Sequence, residues 1–456
     1  MSDSPRFPAG FLWGAATSAH QVEGGNRRND WWRFEQMPGA IHDGHASGDA
    51  CRHYERFDED FALAAADGHN AHRLSIEWSR IEPARGEWNS AEVAHYHAVF
   101  TSLKKHRLLP VVTLHHFTNP LWVADRGGWE NRETIDHFET FVRFCAKEFG
   151  GEVDWWCTVN EPEVYAFRGW SEGVWPPRKH DDGAALAVIA NLLEAHGRAY
   201  RVLHAEDCVD ADGDGQPVRV GFAKHRPQLV PALWWSPLDR LRAFFERRVF
   251  NEAVERAPVD GVIDLGIPGA KRVKRTVPEL AGAWDWYGLN YYTRWQVNAL
   301  GKEAHTALPG ATVNDLGWEI WAEGLGAAVR EAAKLGKPVL ITEHGAADAR
   351  DRWRPRLIED ALASLAREIA AGVPVLGYLH WSLLDNFEWS DGYKGRFGLY
   401  AIDFFDDPGL ERRRTRSAEV LANFARSGAV AARLDPGNER QRLPARPELH
   451  LRRRLR

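Results

Sequence analysis

The sequence predicts an α/β fold: a single (β/α)8 barrel, the TIM-barrel architecture, with extended βα loops. Two observations predict it. Eight short apolar runs recur along the 456 residues, separated by longer stretches whose apolar residues fall at three- and four-residue spacing. Most of these runs also end in residues that are costly to bury and useful in chemistry. In a closed parallel barrel all eight carboxyl ends meet on one face, so residues about 360 positions apart in the chain converge.

The first run, Phe11–Thr17, is followed shortly by Gln21, and the second, His72–Ile76, carries Arg73. Pro110–His115 leads into His116, and Asp154–Val159 leads into Asn160 and Glu161. Val218–Ala223 is the fifth strand. Trp284–Leu289 precedes Asn290 and Tyr292, Pro338–Thr342 precedes Glu343, and Val375–Leu379 leads to Trp381. Between them, Ala91–Lys105, Arg132–Phe149, Ala184–His204 and Leu357–Ala371 have the periodicity of helices with one apolar face. No internal repeat or low-complexity linker interrupts the pattern. One barrel domain is therefore expected over residues 1–439, followed by a basic tail, Arg440–Arg456, with seven Arg against one Glu.

Composition excludes several classes. Hydrophobic residues make up 44% and charged residues 27%, an ordinary globular balance. A net charge of −6 argues against a nucleic-acid platform along the chain. The Arg-rich tail reads as a solvated appendage or a strap over the acidic body, with polyanion binding the weaker reading. Cys51, Cys145, Cys157 and Cys208 are too few and too scattered for a disulfide scaffold or zinc knuckle. With no apolar h-region at the start and no long apolar run, the expectation is a soluble, cytoplasmic protein without a membrane partner.

Two features invite functional readings. The chain has 21 Trp, 21 Phe and 10 Tyr, and aromatic faces stack on the C–H faces of sugars as well as filling cores. Asp210-Ala211-Asp212-Gly213-Asp214-Gly215 matches the start of a calcium loop, but its twelfth position is Gly221 where the bidentate Glu should stand. A polar turn before the fifth strand is the plainer reading, and no metal is expected.

Glu161, in Thr158-Val159-Asn160-Glu161-Pro162, and Glu343, in Ile341-Thr342-Glu343-His344-Gly345, each stand where an apolar run stops. Either alone would pass for a surface residue. Two on one barrel mouth form the carboxylate pair used to cleave glycosidic bonds.

Here the sequence resembles glycoside hydrolase family 1, the β-glucosidase family, from Phe7 to about Ala425. The resemblance rests on Phe11-Leu12-Trp13-Gly14-Ala15-Ala16-Thr17-Ser18, the Thr-Val-Asn-Glu-Pro and Ile-Thr-Glu segments, Trp381-Ser-Leu-Leu-Asp-Asn-Phe-Glu-Trp389, and then Gly392-Tyr393 and Arg396-Phe397-Gly398. It implies a retaining β-glycosidase acting on small β-glycosides or oligosaccharides without a cofactor. Glu343 would be the nucleophile and Glu161 the acid/base, about 5–5.5 Å apart. Arg73, Asn290 and Tyr292 would support them, Arg73 and Tyr292 by keeping the nucleophile ionised. Gln21, His116, Asn160, Glu388 and Trp389 would hydrogen-bond the sugar, and Trp381 would floor it. Glu388 would accept two sugar hydroxyls and repel a 6-phosphate, which points to unphosphorylated sugars.

The sequence departs from the family pattern at three places. His344 stands where Asn is usual, Leu114-His115-His116-Phe117-Thr118-Asn119-Pro120 replaces a commoner segment, and Glu77 replaces a Ser. His344 reads as a neutral packing group, with a shifted pH optimum as the other reading. His115 should face the helices, since neighbours in a strand point to opposite faces. The implied activity is that of a β-glucosidase with β-fucosidase and β-galactosidase side activity. A transglycosylase, a β-mannosidase and a non-catalytic sugar-binding protein are the other readings. Oligomeric state has no signature in the sequence.

Overall fold

The computed structural model of the protein describes residues 6–299 and 307–430; the tail Arg440–Arg456 lies outside them. Eight parallel strands close into a barrel: β1 (Leu12–Ala16), β2 (Ala71–Ser75), β3 (Leu109–His115), β4 (Trp155–Asn160), β5 (Arg219–His225), β6 (Tyr287–Tyr291), β7 (Val339–His344) and β8 (Val375–Trp381). Neighbours pair in chain order, and β8 closes on β1 with Ala16 opposite Trp381.

A helix follows each strand: α1 (His53–Ala66), α2 (Ser90–Lys105), α3 (Glu133–Phe149), α4 (Asp182–Glu206), α5 (Ala253–Asp260), α6 (Glu323–Ala332), α7 (Arg354–Ala370) and α8 (Arg416–Ser427). Their starts use local chemistry. Asn89, Asp181 and Thr415 accept hydrogen bonds from the backbone N–H groups that open α2, α4 and α8. Among the described residues no helix is long and apolar enough to cross a membrane.

Every strand end lies within two residues of expectation except the start of the sixth. The sixth begins three residues late, at Tyr287. Trp284 packs its ring against Phe222 at the foot of the barrel, and Asp285 accepts the Val220 N–H at 2.7 Å. An apolar run thus starts in a loop. The fifth continues two residues beyond Ala223, through Lys224 and His225. The fifth strand therefore follows the same polar-end rule as the others.

Two large cores hold the barrel among the described residues. The inner one, Ala71, Val111, Trp155, Cys157, Ala223, Trp286, Leu340 and Leu379, fills the lower barrel. The outer one lies between strands and helices and takes most of the tryptophans: Trp31, Trp78, Trp129, Trp156 and Trp284 are fully buried. Gly221 on β5 belongs to the first core: a Cβ there would stand 2.6 Å from the Trp286 ring. This packing explains why the calcium-like loop has no Glu at its twelfth position. That loop is a turn between α4 and β5, as expected. Asp210 accepts the N–H groups of Gly213, Asp214 and Gly215, and Asp154 accepts those of Ala211 and Asp212. Asp154, Asp210 and Asp212 come within 4.8 Å of one another, with their carboxylates engaged in capping the turn.

Candidate active site

The carboxyl ends of the strands bring the expected residues together. Glu343 lies near the end of β7 and is 4% exposed. One of its oxygens accepts a hydrogen bond from the Arg73 guanidinium of β2, and the other accepts the Tyr292 hydroxyl at 2.5 Å. Arg73 is fully buried and also donates to Thr113 Oγ1 at 3.0 Å and to Asn160 Oδ1 at 2.7 Å. Burial opposes its charge, yet the adjacent Glu343 holds its pKa above the ordinary value. Burial and the same carboxylate push the Tyr292 phenol well up, so it stays a donor.

Glu161 sits just past β4, in left-handed backbone (φ 44°), and opens the short helix Pro162–Ala166. Its contacts are of another kind. Asn290 Nδ2 donates to Oε1 at 2.7 Å, and among the described residues no lysine or arginine touches the carboxyl. The nearest nitrogen of the His225 ring is 3.7 Å away, and burial lowers that pKa to about 3, so the ring is neutral. Burial first, and the charge of Glu343 second, raise the Glu161 pKa well above its ordinary value; the Asn290 hydrogen bond opposes this and loses. Asn290 is oriented by Thr342, whose hydroxyl donates to Asn290 Oδ1 at 2.6 Å. Asn290 also pairs in register with Glu343 across β6 and β7, so it stands between the two glutamates.

The polar floor continues from this centre. Asn160 Oδ1 takes Arg73 and Asn290, so the Asn160 carbonyl is occupied; its amide nitrogen is 3.4 Å from His116 Nε2. Gln21 donates to Asn386 Oδ1 at 3.0 Å, to the Phe387 carbonyl at 2.9 Å and to Glu388 Oε2 at 3.4 Å, and accepts the Ser18 hydroxyl at 2.6 Å. Burial, reinforced by Asp391, raises the Glu388 pKa well above its ordinary value. Trp381 lies nearly parallel to His116, centroids 6.0 Å apart, and His116 lies nearly parallel to Trp389 at 6.1 Å. Phe117, Trp175 and Trp31 back the Trp389 ring.

The departures from the family pattern also find their places. His115 turns toward the helices, between Trp129 and Tyr165 and against Asn119. His344 is fully buried, hydrogen-bonded through Nδ1 to the Tyr378 hydroxyl at 2.7 Å, and burial lowers its pKa to about 3. It is a neutral packing group at physiological pH. Glu77 accepts the hydroxyls of Ser79 at 2.7 Å and Thr118 at 2.9 Å, tying the loops after β2 and β3 together.

Several neighbours of the site carry no mark in the sequence pattern. Thr113 and Thr342 set the orientations of Arg73 and Asn290. A fully buried ion pair, Lys224 Nζ to Glu163 Oε1 at 2.9 Å, lies behind Glu161. Lys224 and His225 stand at a strand end, and extending the fifth strand by two residues would have found them. Thr113 and Thr342 carry no signal, because a threonine in a strand is ordinary.

The sequence profile described as glycosyl hydrolase family 1 matches residues 3–429. A β-galactosidase of Pyrococcus woesei is 31% identical over 91% of this chain and 97% of its own. β-Glucosidase A of Thermotoga maritima is 32% identical over 88% of this chain and 94% of its own. Among solved structures, a β-glycosidase from Pyrococcus horikoshii aligns with a TM-score of 0.84 and 34% identity, covering 94% of this chain and 97% of that one. A Thermotoga maritima β-glucosidase in complex with glucoimidazole aligns with a TM-score of 0.85 and 28% identity, covering 94% and 100%.

Proposed function

The chain belongs to glycosyl hydrolase family 1, and from that premise we propose that it hydrolyses terminal β-D-glycosyl residues by double displacement, Glu343 acting as nucleophile and Glu161 as acid/base. It is a glycoside hydrolase of the β-glucosidase type. The observation that carries the division of labour is the contrast between the two carboxyls. Glu343 is held by a buried guanidinium and a phenol, which favour its anion; Glu161 has burial and a neighbouring anion, which favour its proton.

The steps rest on that contrast. Protonated Glu161 gives its proton to the glycosidic oxygen while Glu343 attacks the anomeric carbon, and the aglycone leaves. The ester that forms has no charge, so the second cause of the raised Glu161 pKa disappears. Glu161 then rests as an anion and takes a proton from the water that attacks the ester. Tyr292 and Arg73 stabilise the Glu343 carboxylate again as it departs.

Asn160, its carbonyl already occupied, offers amide N–H groups to the sugar 2-hydroxyl, an interaction that strengthens in the transition state. Gln21 and Glu388 are held side by side for the far hydroxyls, and Trp381 gives the ring a flat face. Glu388 feels the acidic Asp391 and Glu343, so a dianionic 6-phosphate would be repelled. We therefore read the glycone as unphosphorylated glucose or fucose, with galactose turned over more slowly. A cytoplasmic location fits the four free cysteines, three of them buried.

The experiment is kcat/KM on 4-nitrophenyl β-glucoside, β-fucoside, β-galactoside, β-mannoside and 6-phospho-β-glucoside. The unphosphorylated glucoside or fucoside should react fastest. Turnover of the mannoside or the phosphate alone would leave the carboxylate pair standing and overturn the specificity.

A further inference from the structure

Beside the barrel mouth the loop after β5 carries apolar surface of a kind seen nowhere else among the described residues. Its start pairs in parallel with the loop after β6, Gln228–Pro231 against Arg294–Val297. The helix Pro237–Arg247 packs on this ladder through Ala243, which joins Leu229 and Val297 in a small core of its own. The outward side of the same segment is apolar too. Trp234 is 77% and Trp235 64% exposed, and Leu238, Leu241 and Phe245 are each more than half exposed. Leu241, Phe244 and Arg247 help line a groove of about 530 Å³ on this face.

Charge surrounds the apolar residues. Arg240, Arg242, Arg247 and Arg248 stand against Asp239 and Glu246 in this stretch of a chain whose net charge is −6. Asp239 is turned inward, accepting the N–H groups of Leu233 at 3.0 Å and Ala299 at 2.9 Å, so its charge is withdrawn from the face. Arg242 pairs with Glu246 at 2.8 Å and Arg247 with Glu252 at 3.3 Å, while Arg240 and Arg248 are exposed. The outer face is thus an aromatic and leucine patch set among arginines.

We infer that this face docks on an anionic lipid surface, with Trp234 and Trp235 at the headgroup level and the arginines against lipid phosphates. Tryptophan suits that position because its ring is apolar and its N–H polar. A short amphipathic helix with Trp, Phe and Leu on one side and Arg beside them binds in the plane of an interface, and a basic rim adds attraction to anionic lipid. A second copy of the chain fits less well: a two-fold contact through this face would set one arginine cluster against another. Docking would also orient the mouth. His225, 3.7 Å from Glu161, contacts Phe250, and Phe250 packs on Trp295 at 4.8 Å, beside the ladder that carries the patch. The inference stands without any particular glycoside as substrate.

The test is co-sedimentation of the full chain with phosphatidylcholine vesicles, with and without phosphatidylglycerol. Wild type should pellet with the phosphatidylglycerol vesicles and be released by raising salt. Trp234→Ser with Trp235→Ser should weaken binding about tenfold or more, and Arg240→Glu with Arg248→Glu should abolish the preference for anionic vesicles. Both double variants should hydrolyse a soluble nitrophenyl glycoside as wild type does, which separates a docking defect from misfolding. Wild type that stays in the supernatant with anionic vesicles overturns the inference. Under that result, a dimer in sedimentation velocity that the tryptophan variant dissociates would assign the face to a second copy. Equal pelleting of wild type and both variants overturns it as well.

Discussion

On the side of the mouth built by β1, β2, β3, β7 and β8, side chains are buried and joined by hydrogen bonds whose partners lie far apart in sequence. Gln21 meets Asn386 and Arg73 meets Glu343. On the side built by the loops after β5 and β6, the surface turns aromatic: His225, Phe250 and Trp295 lead outward to an exposed patch. The first side can recognise a sugar by the directions of its hydroxyls, because a mismatched hydroxyl leaves a buried group unpaired. At the mouth itself His225, Phe250 and Trp295 offer apolar area, which accepts many shapes at small differences in energy. On the proposed function, selection of the glycone and tolerance of the aglycone would thus be separated around one ring of strands. Glu161 and Glu343 stand where the two sides meet, and each takes its chemistry from its own neighbours.

The sharpest way to break this comparison is to remove the proposed nucleophile. Glu343→Gly should lower kcat by on the order of 10⁴-fold or more while sugar binding survives, measured by steady-state kinetics and by inhibitor titration. Full activity would end the nucleophile assignment. Glu161→Gln should cost about 10²–10⁴-fold on glycosides whose leaving groups need protonation, and much less on a dinitrophenyl glycoside, which leaves unaided. An equal loss on both would take the acid role away from Glu161.

A finer test concerns the pair behind Glu161. Glu163 is a like charge that raises the Glu161 pKa, and Lys224 lowers it. Glu163→Gln removes the first and leaves the second, so the basic limb of kcat/KM should move to lower pH. An unmoved limb would show that the pair does not tune the acid.

The smallest effect is expected at His344. Its pKa is about 3 when folded against 6.5 when exposed, so the wild-type chain loses stability as pH falls through 6.5 toward 3. His344→Asn should leave the pH profile of kcat/KM unchanged and lower Tm at neutral pH, through loss of the Tyr378 hydrogen bond worth about 1 kcal/mol. It should also flatten the fall of Tm in acid. A displaced activity profile would instead make His344 part of the titrating site.

Much of the fold and site is legible in the residues alone. The alternation of apolar runs and amphipathic stretches specifies strands and helices because the periods two and 3.6 come from backbone geometry alone. Closing those strands into a barrel places their polar ends together, so Glu161, Glu343, Arg73 and Asn290 can be nominated from position. The sixth strand's start escapes, since Trp284 is as apolar in a loop as in a strand, and so does the reach of the fifth to His225. Thr113, Thr342 and the Lys224–Glu163 pair escape too, because a hydrogen-bond partner is defined by direction and distance across strands, and sequence spacing carries neither.

By itself, then, the sequence determined the order of elements, the carboxylate pair and the kind of chemistry, for these depend on residue type and local periodicity. The resemblance implied that Arg73 and Tyr292 attend Glu343; only the tertiary structure supplied the contacts that do so and the burial, Asn290 hydrogen bond and neighbouring anion around Glu161. It alone decided that His344 is sealed against Tyr378 while Trp234 and Trp235 face outward. The physical reason is common to all of these: a pKa, a hydrogen bond and an exposed area are properties of the surroundings of a side chain, and those surroundings are assembled from distant parts of the chain.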